Sequence, residues 1–280
     1  MTSTLDIGHA TPSTTLTVRA DDAAAYARAT HDDNPRYADG TIAPPMFGTV
    51  LGGRAVVMLY CAIFPDFPNV SMIHLVSDLH FHQPLVPGTQ VVTWARTLGL
   101  TATPRGGLLH FVVHLTDEGG RPVLDWYSSV MLPERRDIRT GGELLPDARP
   151  PQSPRRGVLA RRVVMLPGDQ PQQYAAVSGD YQRLHFDDNV ARAAGLEKAV
   201  VQGACTLAIC AAIATDVAAG SDPTRLARVV GRFAHPVYPE SRLVVEVSEP
   251  VEGTDPAVHS VRATRNGRPV VRGGRVDVRP

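Results

Sequence analysis

Hydrophobic and polar positions along the chain fall into two successive sets of elements with the same order. Residues 14–18 read as a strand and lead into Asp21-Asp-Ala-Ala-Ala-Tyr26-Ala-Arg-Ala, where an Asp N-cap precedes strong helix formers. A longer apolar helix is expected over residues 46–61, followed by strands near 72–82, 89–97, 108–116 and 123–132. The second half repeats the order with a strand over 158–166, a short helix ending at Ser178-Gly179, and an apolar helix over 203–219. Strands near 225–234, 242–249, 257–264 and 270–278 complete it. The 203–219 helix is apolar nearly all round, which implies burial on most sides. Alternation is clearest in Arg275-Val-Asp-Val, the pattern of a strand with one wet face. A buried helix followed by an antiparallel meander describes a sheet wrapped around a helix. That is an α+β architecture, here present twice.

Individual residues carry the same duplication. Tyr174-Ala-Ala-Val-Ser178-Gly-Asp180-Tyr-Gln-Arg-Leu-His185-Phe-Asp187 has a degraded copy in Tyr26-Ala-Arg-Ala-Thr-His-Asp32-Asp-Asn-Pro-Arg-Tyr37. Tyr26, Asp32 and Tyr37 match Tyr174, Asp180 and His185 at one offset of 148. Phe81-His-Gln-Pro84-Leu-Val-Pro87 matches Phe233-Ala-His-Pro236-Val-Tyr-Pro239 at an offset of 152. Two copies are too few for a solenoid and imply paired domains, expected over 1–139 and 158–280. Residues 140–157, with Pro146, Pro150, Pro151 and Pro154, read as an extended connector.

Composition narrows the function classes. The 280 residues balance 28 Lys+Arg against 28 Asp+Glu, so a strongly basic nucleic-acid surface is not expected. Lys198 is the only lysine. Cys61, Cys205 and Cys210 form no Cys-x-x-Cys pair and sit in apolar stretches, reading as buried reduced thiols of a cytoplasmic protein. The opening Met-Thr-Ser-Thr-Leu-Asp lacks the features of a signal peptide, and the apolar run 204–214 is too short to span a bilayer. A cytoplasmic protein without a membrane or nucleic-acid partner is expected. Nucleotide-binding fingerprints and a serine-hydrolase elbow are absent, and chemistry without a cofactor is expected. His80-Phe-His82 would place two imidazoles on one strand face, but no third metal ligand stands at suggestive spacing, so no metal is expected.

The 174–187 stretch sets a carboxylate and an imidazole five residues apart, after a glycine that should end a helix. It resembles the signature of the MaoC-like (R)-specific enoyl-CoA hydratases, which are hotdog-fold proteins. The match runs through Tyr174, Ser178, Gly179, Asp180, Leu184, His185 and Asp187, while Gln182 and Arg183 replace the family's Asn-Pro. Val200-Val-Gln202-Gly203-Ala-Cys-Thr206 resembles the next family segment, with Gln202 in place of a usual His. The first half, with Ala43-Pro-Pro-Met-Phe-Gly, looks like the N-terminal domain of double-hotdog members, which shapes an acyl tunnel while the second domain does the chemistry.

The resemblance implies a double hotdog that interconverts trans-2-enoyl and (R)-3-hydroxyacyl thioesters of coenzyme A or an acyl carrier protein. Asp180 and His185 would hold the water. Gly203, opening a buried helix where N–H groups are unpaired, would supply the oxyanion site. Substrate contacts are expected from Ser178, Gln202 and Thr206, although Ser178 also suits a cap and Thr206 a bond back to the backbone. Asp187 reads as the N-cap of a helix over 189–194. Met46, Phe47 and Leu51 are tunnel or core residues. In the first half Tyr37 replaces the imidazole, and a phenol is a poor base at neutral pH. The alternatives are a hotdog thioesterase, a polyketide-type dehydratase and a non-catalytic acyl-binding module. Either a monomer or a homodimer is compatible with two fused hotdogs.

Overall fold

The hydrophobic alternation of the first half produces β1 (Thr14–Thr17), β2 (Ile73–Phe81), β3 (Gln90–Thr103), β4 (Gly106–Asp117) and β5 (Pro122–Leu132). After the two-residue β6 (Gly141–Gly142), the second half supplies β7 (Val158–Met165), β8 (Leu226–Phe233), β9 (Arg242–Ser248), β10 (Ala257–Arg265) and β11 (Arg268–Val278). This computed structural model describes residues 6–67, 70–148 and 157–280. Residues 1–5, read above against a signal peptide, and Pro150, Pro151 and Pro154 of the connector lie outside the described residues.

All strands join one 11-stranded antiparallel sheet in the order β1-β3-β4-β5-β2-β8-β11-β10-β9-β7, with β6 added beside β3. Matching β1–β5 to β7–β11 makes that order identical from either end. The pseudo-two-fold passes through the β2–β8 seam, where Asp78 pairs with Val230, its counterpart at the 152 offset. Each half wraps its strands around one central helix. In the first half α3 (Gly48–Ile63) packs on β3 and β4, after α1 (Ala20–Ala29) and α2 (Pro35–Ala38). In the second, α6 (Gly203–Ala219) packs on β7 to β11, after α4 (Gln170–Ser178) and α5 (Asp188–Ala193). The chain is a double hotdog.

Burial explains α6, with Cys205, Leu207, Ile209, Cys210 and Ala214 all at or below 2 % exposure. Each large apolar side chain so buried contributes about 1.5–3 kcal/mol relative to exposure. Pro45–Ile63, which includes α3, is long and apolar enough to cross a membrane, unlike the shorter run considered above; here it is a core helix with 56 % of its apolar window buried.

Several local expectations need correction. Asp21 does not cap α1: the cap stands two residues earlier, at Arg19, and Asp21 and Asp22 lie in the first turn, facing the helix dipole. The apolar helix begins at Gly48 rather than Met46, because Pro44 and Pro45 start a 3₁₀ turn over Pro45–Phe47. Strand β3 runs past Gly99 to Thr103, and the missing Cβ there leaves room for the backbone of Gly141 and Glu143. Residues 140–148 accordingly start as a docked segment, with Glu143 N–H donating to Leu98 O (3.0 Å). Arg275 and Asp277 do not line a wet face; they form an ion pair at 2.7 Å with side chains only 16 % and 6 % exposed. Cys61 is exposed, whereas Cys205 and Cys210 are buried free thiols.

A buried ion pair locks the seam. Arg228 on β8 donates from Nε and Nη2 to the two carboxylate oxygens of Asp78 on β2 at 2.8 and 2.6 Å, and His80 Nε2 lies 3.0 Å from Asp78 Oδ1. Burial alone would raise the Asp78 carboxyl, but bonds from Arg228 and His80 outweigh it and hold the group below its ordinary value. This contribution to stability is complete above about pH 4 and lost as pH falls through the depressed value. Arg228→Met, which strands a fully buried carboxylate, should cost about 3–5 kcal/mol in urea unfolding at pH 7, and Asp78→Leu added to it should restore much of the loss.

Candidate active site

Helix α4 ends because Gly179 adopts a left-handed conformation (φ 75°), a cap that glycine reaches without a Cβ clash. Its counterpart after α1, His31, is also left-handed (φ 54°). The chain then turns through short bonds to its own backbone. Asp180 N–H donates to Ser178 Oγ (3.2 Å), and Gln182 N–H donates to Asp180 Oδ1 (3.3 Å). A 3₁₀ turn over Arg183–His185 follows, and Asp187 caps α5 by accepting from the amides of Asn189 and Val190.

These constraints bring Asp180 and His185 together. His185 Nδ1 lies 2.8 Å from Val200 O. A carbonyl only accepts, so Nδ1 carries the proton and Nε2 of the neutral ring is left as an acceptor. That nitrogen lies 3.7 Å from Asp180 Oδ2, beyond a direct hydrogen bond. A molecule with two donor protons suits two acceptors so placed, and water is the smallest one. The Asp180 side chain is 33 % exposed and that of His185 10 %, so the pair is sheltered yet open on one side.

The start of α6 is fastened to the same turn. Val200 N–H donates to Leu184 O (3.4 Å), and Gln202 Nε2 donates to Pro171 O (3.2 Å) and Asp180 O (3.4 Å). Gln202 is extended (φ −55°, ψ 135°), so the helix begins abruptly at Gly203. As the first helical residue, Gly203 has an N–H with no intrahelical acceptor, at the positive end of the dipole. The Phe233 ring covers this glycine, 3.3 Å from where a Cβ would stand. Behind Phe233, its centroid 4.8 Å away, lies the ring of His74; burial lowers the His74 pKa to about 4 despite its bond to Val76 O, so the ring stays neutral.

Residues 149–265 match the MaoC like domain, and residues 6–125 match the FAS1-like dehydratase domain region. The second half thus carries a MaoC-like dehydratase domain and the first a FAS1-like dehydratase region. A protein from Dictyostelium discoideum named probable enoyl-CoA hydratase 2 is 25% identical over 214 residues, covering 75% of this chain and 72% of that protein. The crystal structure of a MaoC-like dehydratase from Phytophthora capsici superposes with a TM-score of 0.79 at 19% identity, covering 95% of both chains. A conserved hypothetical protein from Mycobacterium tuberculosis, described as a double hotdog fold, gives 0.61 at 19% identity, covering 98% of this chain and 96% of that one.

Within the MaoC-like domain, the departures at Gln182 and Arg183 leave the turn intact. Gln182 keeps the amide that Asp180 uses, and Arg183 reaches the Asp187 carboxylate at 2.7 Å from an exposed position. Ser178 serves the turn as an acceptor. Thr206 is buried and bonds back to Gln202 O at 3.4 Å. Gln202 is 1 % exposed with its Nε2 committed, while its Oε1 has no partner among the described residues. Met46, Phe47 and Leu51 are core residues. His80 and His82 turn to different carboxylates, those of Asp78 and Asp125, and no cluster of metal-ligating side chains occurs among the described residues.

The first half lacks an equivalent arrangement. Tyr37 is 2 % exposed with an unpartnered hydroxyl, and burial, with the nearby Asp32 charge, raises its phenol well above the usual value. Desolvation pushes the Asp32 carboxyl up to about 6, at a cavity with room for about one water. The Gly48 N–H is spent on Pro45 O, and a Cβ there would run into Leu124.

Val200 O, Phe233 and Tyr60 join the site without a signal in the motif. Tyr60 on α3 is 8 % exposed; burial raises its phenol, and the Asp180 charge adds to the shift. The match of Phe233 to Phe81 and the Val200–Thr206 segment marked two of them beforehand, without these roles. Gly179→Ala should destabilise the fold by about 1–2 kcal/mol in chemical unfolding, because an alanine must hold the left-handed cap.

Proposed function

We propose that the chain catalyses reversible addition of water to trans-2-enoyl thioesters, giving (R)-3-hydroxyacyl thioesters of coenzyme A or an acyl carrier protein. The observation carrying this reading is the 3.7 Å gap between His185 Nε2 and Asp180 Oδ2, two groups turned to one another beside the opening of α6. The Dictyostelium discoideum relative, a probable enoyl-CoA hydratase 2 by name, supports the same reaction.

In this reading each group has one part of the work. A water held between Oδ2 and Nε2 presents its oxygen lone pair to C3 of the enoyl group. As the C3–O bond forms, the pair takes a proton from the water, and electrons move through C2 to the thioester oxygen. The Gly203 N–H and the α6 dipole stabilise that developing charge, and the absence of a side chain lets the carbonyl approach the backbone. The pair then returns a proton to C2, so one water is added and the protein ends unchanged. The Val200 carbonyl acts as a positioning group that fixes the His185 tautomer.

Hydration of crotonyl-CoA, followed as loss of enoyl absorbance, tests the reading. Asp180→Asn and His185→Ala should each lower kcat by about 10²–10⁴; the unfolding midpoint should stay unchanged in the first and fall in the second, which loses a buried side chain and its bond to Val200 O. Release of free thiol would instead mark a thioesterase, and tight acyl-CoA binding without turnover a binding module. Gly203→Ala separates the oxyanion role from stability. The added Cβ stands 3.3 Å from the Phe233 ring, so that ring must shift by a few tenths of an ångström; the fold should hold, with any fall in the unfolding midpoint read alongside a kcat lower by about 10²–10³.

A further inference from the structure

The two halves differ at one more place beside their helix openings. Ala43 N–H donates to Leu85 O in the first half and Val201 N–H to Val237 O in the second, both at 2.8 Å. The residue after each acceptor is Val86, which is 39 % exposed, and Tyr238, which is 7 % exposed. Tyr238 Oη accepts the Glu197 amide at 3.1 Å, so the ring is fixed against the loop that leads to Gly203. Arg265 lies over that ring, with Cζ 4.5 Å from its centroid.

Arg265 ends β10 opposite Leu243, and its counterpart Asp117 ends β4 opposite Val91. The half that carries Asp180 and His185 therefore presents a cation on an aromatic face, where the other half has the Asp117 carboxylate paired with Arg121 at 2.7 Å. Among the described residues Arg265 has no carboxylate partner, whereas Lys198 in the same loop lies 3.9 Å from Glu240. Stacking leaves the edge of a guanidinium free, and that edge matches two phosphate oxygens. An uncompensated cation so held is suited to an anionic ligand.

We infer that Arg265, held over Tyr238, docks a phosphate of the substrate's carrier arm, a chemistry shared by coenzyme A and the phosphopantetheine of a carrier protein. The inference rests on the hydration reading above. Val201, two residues before Gly203, bonds to Val237 O, so the loop that carries Tyr238 is tied to the opening of α6.

The full-length protein and Arg265→Ala are compared on crotonyl thioesters of coenzyme A, phosphopantetheine and pantetheine. KM for crotonyl-CoA should rise about tenfold in the variant, the loss of one charge-assisted contact. Its kcat should stay within about twofold, and KM for the phosphate-free pantetheine thioester should not move. A rise shared with phosphopantetheine assigns the phosphate that carrier proteins also possess; a rise confined to coenzyme A assigns its nucleotide phosphates. An equal rise with pantetheine, or no rise with any of the three, overturns the inference. If the wild-type protein hydrates none of them, the hydration reading fails by itself, and calorimetry with coenzyme A decides the docking: about tenfold weaker binding by Arg265→Ala upholds it, and equal binding sinks it.

Discussion

The antiparallel pairing of β2 with β8 is the constraint on which the rest of the structure depends. Each half alone would present an unpaired strand at this position, and an unpaired edge is a template for non-specific addition. Joining the two edges satisfies their backbone groups and makes one sheet of two. The ion pair between Asp78 and Arg228 pins the register, since a slip of one strand by one residue would put the two groups on opposite faces. With the register fixed, α1 and α4 meet across the halves, and Tyr26 and Tyr174 pack with centroids 6.0 Å apart.

Symmetry of the scaffold is accompanied by asymmetry of the chemistry. Both halves keep a left-handed turn after the first helix, an aspartate beyond it and a glycine opening the central helix. Only in the second does an imidazole follow, with its tautomer set by a carbonyl, and only there does an extended residue start the helix abruptly. The first half instead reaches its glycine through a 3₁₀ turn that consumes the equivalent amide. A small change in backbone entry thus decides whether a helix terminus faces outward or inward.

Much of this was legible in the sequence because local rules and long-range packing agree. Strand periodicity, glycine punctuation and the offset repeat all point to a doubled meander around a helix. The Asp180 and His185 pair was readable because Gly179, the capping carboxylates and the 3₁₀ turn are encoded within a dozen residues. Where the reading failed, distant parts of the chain decide. Arg275 and Asp277 look like surface alternation, yet they pair with each other inside the sheet. Gly99 looks like a strand end, but its missing side chain admits a backbone from forty residues later. Cys61 lies in an apolar stretch, and the helix still turns it outward. The acceptor for His185, fifteen residues away, has no side-chain signature at all because it is a carbonyl.

The 3₁₀ entry to α3 has a consequence for how the two copies can diverge. A terminus closed upon itself holds no charge for a reactant, so substitutions around Gly48 are felt through shape and volume. At Gly203 the same exchanges would also alter an electric field. One repeated unit thus has two kinds of helix entry: one closed by its own 3₁₀ turn, and one that starts abruptly from an extended residue.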